Sequence, residues 1–145
     1  DLHTAYRRQR QMCIRDRKLN TSVRELLDQP EVLNTIKTGH KYLRSVTGLN
    51  EEQIWLIEET AGIKCFNIQG VLQKTIETKS GEMPLDLAVD IKGALLYCDL
   101  KTRSVYKVKN DQTEEIINLE GWIPNNLCVT SSGDLLVTMF SVDCT

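Results

Sequence analysis

The sequence has no long hydrophobic run. Nothing in it approaches the roughly 18 apolar residues that a membrane helix requires, so a helical span is excluded and no membrane association is expected. Proline (3) and glycine (8) are too scarce for a collagen-like or low-complexity chain. Only two histidines occur, His3 and His40, far apart, which argues against a histidine-based zinc site. No G-x-S-x-G, H-E-x-x-H, Walker loop or G-x-G-x-x-G is present, so the common hydrolase, metalloprotease and nucleotide-binding signatures are missing. The five cysteines (Cys13, Cys65, Cys98, Cys128, Cys144) contain no C-x-x-C pair and are odd in number. The N-terminus is polar and arginine-rich, without a secretory apolar stretch. Together these features read as reduced thiols in a cytoplasmic protein.

What is present is the balance of a soluble globular chain: 41% apolar and 26% charged over 145 residues, enough for one domain or part of one. Charge is uneven. Residues 1–18 carry six basic and two acidic side chains, net +4. The whole chain is at −2, so residues 19–145 carry −6. That acidic body weighs against a large phosphate-binding surface.

The informative feature is an internal repeat. GEMPLDLAVDIKGALL (81–96) aligns with GWIPNNLCVTSSGDLL (121–136) at an offset of 40, with seven identities in sixteen positions. Composition alone would give about one. Upstream, Thr35-Ile36-Lys37-Thr38 aligns with Thr75-Ile76-Glu77-Thr78 at the same offset. Between residues 43 and 57 the offset becomes 41, pairing Ile54 with Leu95 and Trp55 with Leu96. One residue gained or lost in a surface turn accounts for that.

Each repeat reads as short strands between turns. Leu85, Leu87 and Val89 alternate with Asp86, Ala88 and Asp90, which predicts an inner strand with one packed face. Lys92-Gly93 is a turn, and Ala94–Cys98 is a continuous apolar run, hence a strand buried on both faces. Ser104–Val108 is a third strand, Asn110-Asp111 a tight turn and Glu114–Leu119 a fourth strand. Four strands in about 40 residues is the unit of a β-propeller blade. Residues 43–77 and 84–119 are then complete blades, 124–139 are two inner strands of another, and 32–37 are an outer strand of a fourth. The expected fold is all-β, an open partial propeller occupying 32–145. Closed propellers need roughly 4–8 blades, so the chain reads as a piece of one, with bare sheet faces. Residues 19–31 form a linker, with a short helix at 22–28 capped by Ser22 and Glu25 and ended by Pro30. Residues 1–18 fit no strand or helix pattern. Their MCIRDR string resembles spurious translation at the ends of assembled reads, and the other reading is a basic linker.

No catalytic constellation stands out. The pairs Glu51-Glu52, Glu58-Glu59 and Glu114-Glu115 suggest an acid/base or calcium site only superficially, since neighbours on a strand face opposite sides. Trp55, aligned with Leu96 and Leu136, is read as core. Trp122, in the Gly-Trp-Ile-Pro connection ahead of an inner strand, is placed at a rim, where a tryptophan either packs against its own blade or anchors a partner. Asp86 and the aligned Asn126, with Asn125, mark a recurring polar position on the inner strand, read as channel-lining or bonded within the blade. Arg103 and Lys107 are read as sharing one face of the third strand beside Tyr106, a basic-aromatic arrangement that can grip RNA. These six (Trp122, Asn125, Asn126, Asp86, Arg103, Lys107) are the candidate partner-binding residues; no catalytic, cofactor-binding or metal-binding residue is assigned.

The segment PLDLAVDIKGALLYCD (84–99), followed by RSVYKV (103–108), resembles the NHL repeat. The longer stretch 26–140 is similar to the C-terminal propellers of tripartite-motif (TRIM) proteins, the mollusc-like B-box-containing set especially. The RING, B-box and coiled coil of that family are not found in this sequence, and the closing SVDCT departs from its pattern. The resemblance implies a six-bladed, TolB-like total and a non-catalytic module that recruits protein targets through rim loops. In the parent it implies ubiquitin transfer by a RING or a scaffolding role, with zinc held only by the RING and B-box and oligomerisation through the coiled coil. Some NHL propellers bind RNA, and some six-bladed lactonase-like relatives hold calcium; these are the two competing expectations.

Overall fold

The structure, a computed structural model, describes residues 32, 35–39, 42–48, 52–58 and 61–141. The chain divides into two compact units, Asp1–Leu33 and Asn34–Thr145, and all described residues but Val32 belong to the second. The expectations for 1–18 and for a helix at 22–28 fall outside the described residues.

Ten strands and no helix make up the described part. β1 (Leu43–Gly48), β2 (Gln53–Glu58), β3 (Gly62–Asn67) and β4 (Leu72–Glu77) form one antiparallel sheet in sequence order. β5 (Leu87–Val89), β6 (Leu95–Asp99), β7 (Ser104–Lys109) and β8 (Gln112–Asn118) form a second, also in sequence order. β9 (Trp122–Val129) and β10 (Leu135–Ser141) form a hairpin. Within each sheet every strand thus pairs with its neighbour in the chain, as the 43–77 and 84–119 readings predict. Residues 85 and 86 continue the β5–β6 ladder through Leu85 N–H to the Cys98 carbonyl (2.9 Å) and Cys98 N–H to the Asp86 carbonyl (3.1 Å).

The repeated glycines hold the repeated turns. Gly93 and Gly133 sit at φ 79° and 92°, a region that residues with a Cβ avoid. Gly93 N–H donates to the Asp90 carbonyl (2.9 Å), and Gly133 N–H donates to the Thr130 carbonyl (3.0 Å), so both repeats close the same way. Asn110 and Asp111 both have positive φ (50° and 63°), as a two-residue type I′ hairpin demands.

Packing explains why β6 is apolar from Leu95 to Cys98. Leu95 and Tyr97 face the first sheet, in a core with Trp55, Ile57, Ile63, Cys65, Leu87, Tyr106 and Val108. Leu96 and Cys98 face the hairpin, in a second core with Ala88, Val105 and Leu127. Tyr97 and Tyr106 stack with ring centres 5.2 Å apart. Among the described strands, the sheets touch through β1, β2 and β5 on one side and through β5, β6, β7 and β9 on the other; β4 and β8 do not meet. The sheets therefore converge at their first strands and spread at their fourth.

Two expectations need correction. The inner strand is packed on both sides: Leu87 (4% exposed) lies in the core shared with the first sheet, and Ala88 (6%) lies in the core shared with the hairpin. Residues 35–38 form no strand, since an outermost strand exists only by pairing and no described strand lies beside them. Ile36 instead lies against Gly70, where a Cβ on the glycine would meet its Cγ2 at 3.4 Å.

Candidate binding surface

Asp86 is the most connected of the predicted site residues. It lies just ahead of β5, half-buried, and its carboxylate bonds to both neighbouring sheets. Ser45 Oγ of β1 donates to Oδ1 (2.6 Å), and the Leu127 N–H of β9 donates to Oδ2 (2.9 Å). The bonding is thus between sheets, not within one, which corrects the expected intra-blade role. An anion accepting two charge-assisted bonds from separate sheets fixes their mutual register. The equivalent Asn126 stays local: its Oδ1 accepts from Asn125 Nδ2 (2.7 Å) and Thr138 Oγ1 (3.3 Å).

The other inner acids are also engaged. Asp90 Oδ1 accepts the N–H groups of Lys92 and Ala94 (2.8 Å each), and its Oδ2 accepts Lys107 Nζ at 2.6 Å. Burial alone would raise the Asp90 carboxyl, but the Lys107 and backbone bonds outweigh it and hold the group below the usual range. Asp99, 2% exposed, accepts Lys101 and Thr102 N–H on Oδ1 (3.0 and 3.1 Å) and Ser80 N–H on Oδ2 (3.3 Å). Glu58, fully buried, pairs with Lys64 at 2.7 Å. Glu115 accepts the Tyr106 hydroxyl at 3.2 Å, while adjacent Glu114 lines a different surface beside Lys107 and Gln112. Among the described residues no group of three or more His, Cys, Asp or Glu could hold a metal ion.

Two buried side chains are chemically quiet. Burial, reinforced by the Asp86 charge, pushes the Cys98 thiol up to about 12, and burial likewise pushes Tyr97 up to about 12. Tyr97 uses its hydroxyl to accept the Lys79 N–H at 3.0 Å. Burial also raises Cys65, against the opposing charge of Lys74.

Arg103 and Lys107 do not share a strand face. Arg103 occupies the turn before β7 in a left-handed conformation (φ 55°) and is exposed. Lys107 is tied to Asp90 towards the other end of β7, and Tyr106 between them turns into the core. Alternation on a strand puts 106 and 107 on opposite sides, and the turn removes 103 from the series. The backbone instead links Arg103 to Trp122. The Leu119 N–H donates to the Arg103 carbonyl (3.0 Å), and the Trp122 N–H donates to the Leu119 carbonyl (3.0 Å). Trp122 is the first residue of β9, paired with Ser141, and 47% exposed. It lies in a strand and not in a connection, because a register shift beside Pro124 lets the strand run through the proline. One rim of the sheets therefore presents an exposed tryptophan and an exposed arginine, with exposed Asn125 further along β9.

Trp55 is core, as expected, at 7% exposure. It also lines a groove of about 230 Å³ between the first and second sheets, floored by Ile76, Leu95 and Val108 and edged by Lys74, Lys92 and Lys109. Among the described residues its indole N–H has no hydrogen-bond partner. No pattern along the chain marks this groove, because its lysines come from strands and turns of different sheets.

No protein-family model matches the sequence, and no curated protein does. Among solved structures the chain is similar to selenomethionine-substituted virginiamycin B lyase from Staphylococcus aureus, a β-propeller. The TM-score is 0.54 at 15% identity, over 66% of this chain. The matched part spans only 34% of the lyase chain. With the sequential four-stranded sheets and their convergence on the first strands, this likeness gives the fold: a partial β-propeller with blades β1–β4 and β5–β8 and the inner pair β9–β10 of a third.

Proposed function

We propose that this propeller is a non-catalytic recognition module that recruits a protein target, within a tripartite-motif-like ubiquitin ligase or scaffold of the cytoplasm. The observation that carries the reading is the Arg103–Trp122 rim. Tryptophan and arginine are the residue types that dominate protein interfaces, and here they stand exposed on turns and strand ends held by a rigid scaffold. The inner acids that an enzyme would use are engaged in architecture: Asp86 between sheets, Asp90 and Asp99 in turns. The NHL-like sequence pattern supplies the ligase or scaffold context, a six-bladed total, zinc in the RING and B-box alone, and assembly through a coiled coil.

The test is a photo-crosslinking amino acid at position 122 of the full-length protein. It captures one defined protein, and Trp122→Ala or Arg103→Ala weakens that partner's binding by about ten-fold or more without lowering Tm. Ubiquitin reaching the captured partner assigns the ligase role. Calcium-dependent lactone hydrolysis by the complete propeller replaces this reading with an enzyme. A salt-dependent RNA shift lost in Arg103→Ala replaces it with an RNA-binding module.

A further inference from the structure

The groove between the first two sheets carries charge and polarity that the packing of the sheets does not require. Its floor is apolar, with Trp55, Ile76, Leu95 and Val108. Its edge carries Lys74, Lys92 and Lys109 against a single acid, Asp111. Asp111 pairs with Lys74, while Lys92 and Lys109, both exposed, have no ion-pair partner among the described residues. The groove is thus locally cationic, although residues 19–145 as a whole carry −6. A concave cationic site between low-dielectric walls concentrates anions.

Trp55 adds an independent sign. Its position is leucine in both later repeats, Leu96 and Leu136. Leu96 packs there to 3% exposure, so an aliphatic side chain suffices for the sheet. The tryptophan brings an N–H that is shielded from solvent and lacks an acceptor among the described residues. A buried donor left unpaired costs free energy, and an arriving acceptor recovers it. The groove is also separate from the Arg103–Trp122 rim. Its second-sheet edge is built by the β5–β6 and β7–β8 turns, and Arg103 stands in the β6–β7 turn, at the other end of the same antiparallel strands.

We propose that this groove binds a small organic anion, a compact apolar body bearing one carboxylate or phosphate. Its volume of about 230 Å³ lies below the roughly 300–1,000 Å³ of drug-sized sites, which limits the body to a single ring or a short branched chain. The body lies on the apolar floor and the indole. The anionic group meets Lys92 and Lys109. It also competes with Asp111 for Lys74, an ion pair open to water on both sides and so easily exchanged. A ligand oxygen supplies the acceptor that the Trp55 N–H lacks, reached by a small tilt of the ring. Lysine ammonium groups act as point charges and accept either anion, so the two are separated by experiment.

The chain has only two tryptophans, which makes the test direct. Trp122→Phe leaves Trp55 as the single indole and removes the rim tryptophan, so the outcome does not depend on the rim. Isotope-labelled protein is titrated with hydrocinnamate and with phenyl phosphate while the Trp55 indole N–H resonance is followed. Under the proposal at least one anion moves it saturably, and the neutral hydrocinnamide binds about ten-fold more weakly or worse. The tighter of the two anions identifies the group. Lys92→Gln combined with Lys109→Gln weakens binding by about ten-fold or more, and added salt does the same. Asp111→Asn keeps the turn, since asparagine tolerates its positive φ of 63°, and tightens binding by about three-fold by releasing Lys74. No saturable shift with either anion up to about 10 mM overturns the proposal, as does equal binding of the amide or unchanged affinity in the double lysine variant. Saturation by a glutamate-rich peptide where neither small anion binds overturns it in favour of a protein partner.

Discussion

Leu96 and Leu136 occupy the same place in successive repeats, yet one is 3% exposed and the other 58%. The second blade is covered on both sides, and the hairpin on one. Their strands, turns and glycines are alike, so local sequence shapes each sheet while burial depends on its neighbours. A propeller is in this sense quasi-one-dimensional, each sheet drawing its core from the sheets beside it.

The contrast can be tested, and Leu96 gives the largest expected effect. Leu96→Ala is expected to cost about 2–5 kcal/mol in denaturant unfolding, and Leu136→Ala less than about 0.5. Equal effects would mean that the hairpin face is covered. Next comes the carboxylate bridge. Asp86→Ala leaves the Leu127 N–H without its acceptor and should cost about 1–3 kcal/mol, with Asn126→Ala near neutral. Asp86→Asn should fall between, since an amide offers one acceptor oxygen where the carboxylate has two.

Two smaller effects come from titration. Asp90 is held low, so its contribution is complete above the ordinary carboxylate range and is lost as pH falls through the lowered value. Lys107→Met should remove roughly 1 kcal/mol or less at neutral pH and flatten the acid limb of a pH–stability curve. Cys98 and Tyr97 are held high, so their neutral forms stabilise the fold fully below about 9. That contribution disappears as pH rises from their ordinary values of 9.0 and 10.0 towards about 12. A Cys98→Ala, Tyr97→Phe double variant, unfolded across that window, should lose stability less steeply than the parent.

Much of this fold could be read from the sequence, because the repeat carries its own turn chemistry. Gly93 and Gly133 are identical since both turns need positive φ, and Asn110-Asp111 marks a hairpin for the same reason. The two-sided apolar run of β6 predicted burial on both faces, and Trp55 fell in the core. What escaped was relational. An offset of 40 or 41 aligns Ser45, Asp86 and Asn126 but does not say that Asp86 reaches across sheets instead of along its own. The Arg103–Trp122 rim escaped because Leu119, from β8's end, is what joins them. Pro124 misplaced Trp122, since a proline reads as a strand break unless a bulge accommodates it.

The Asp86 bridge also sets an order of events. Its donors lie 41 residues upstream and 41 downstream. As the polypeptide leaves the ribosome, Ser45 is already out when Asp86 emerges, but Leu127 is still to be made. A hydrated aspartate waits in solvent without penalty, and the middle layer is sealed only when the third arrives. Cooperativity here belongs to a triplet of layers, and a nascent chain halted between the second and third should remain open to proteases at its central seam.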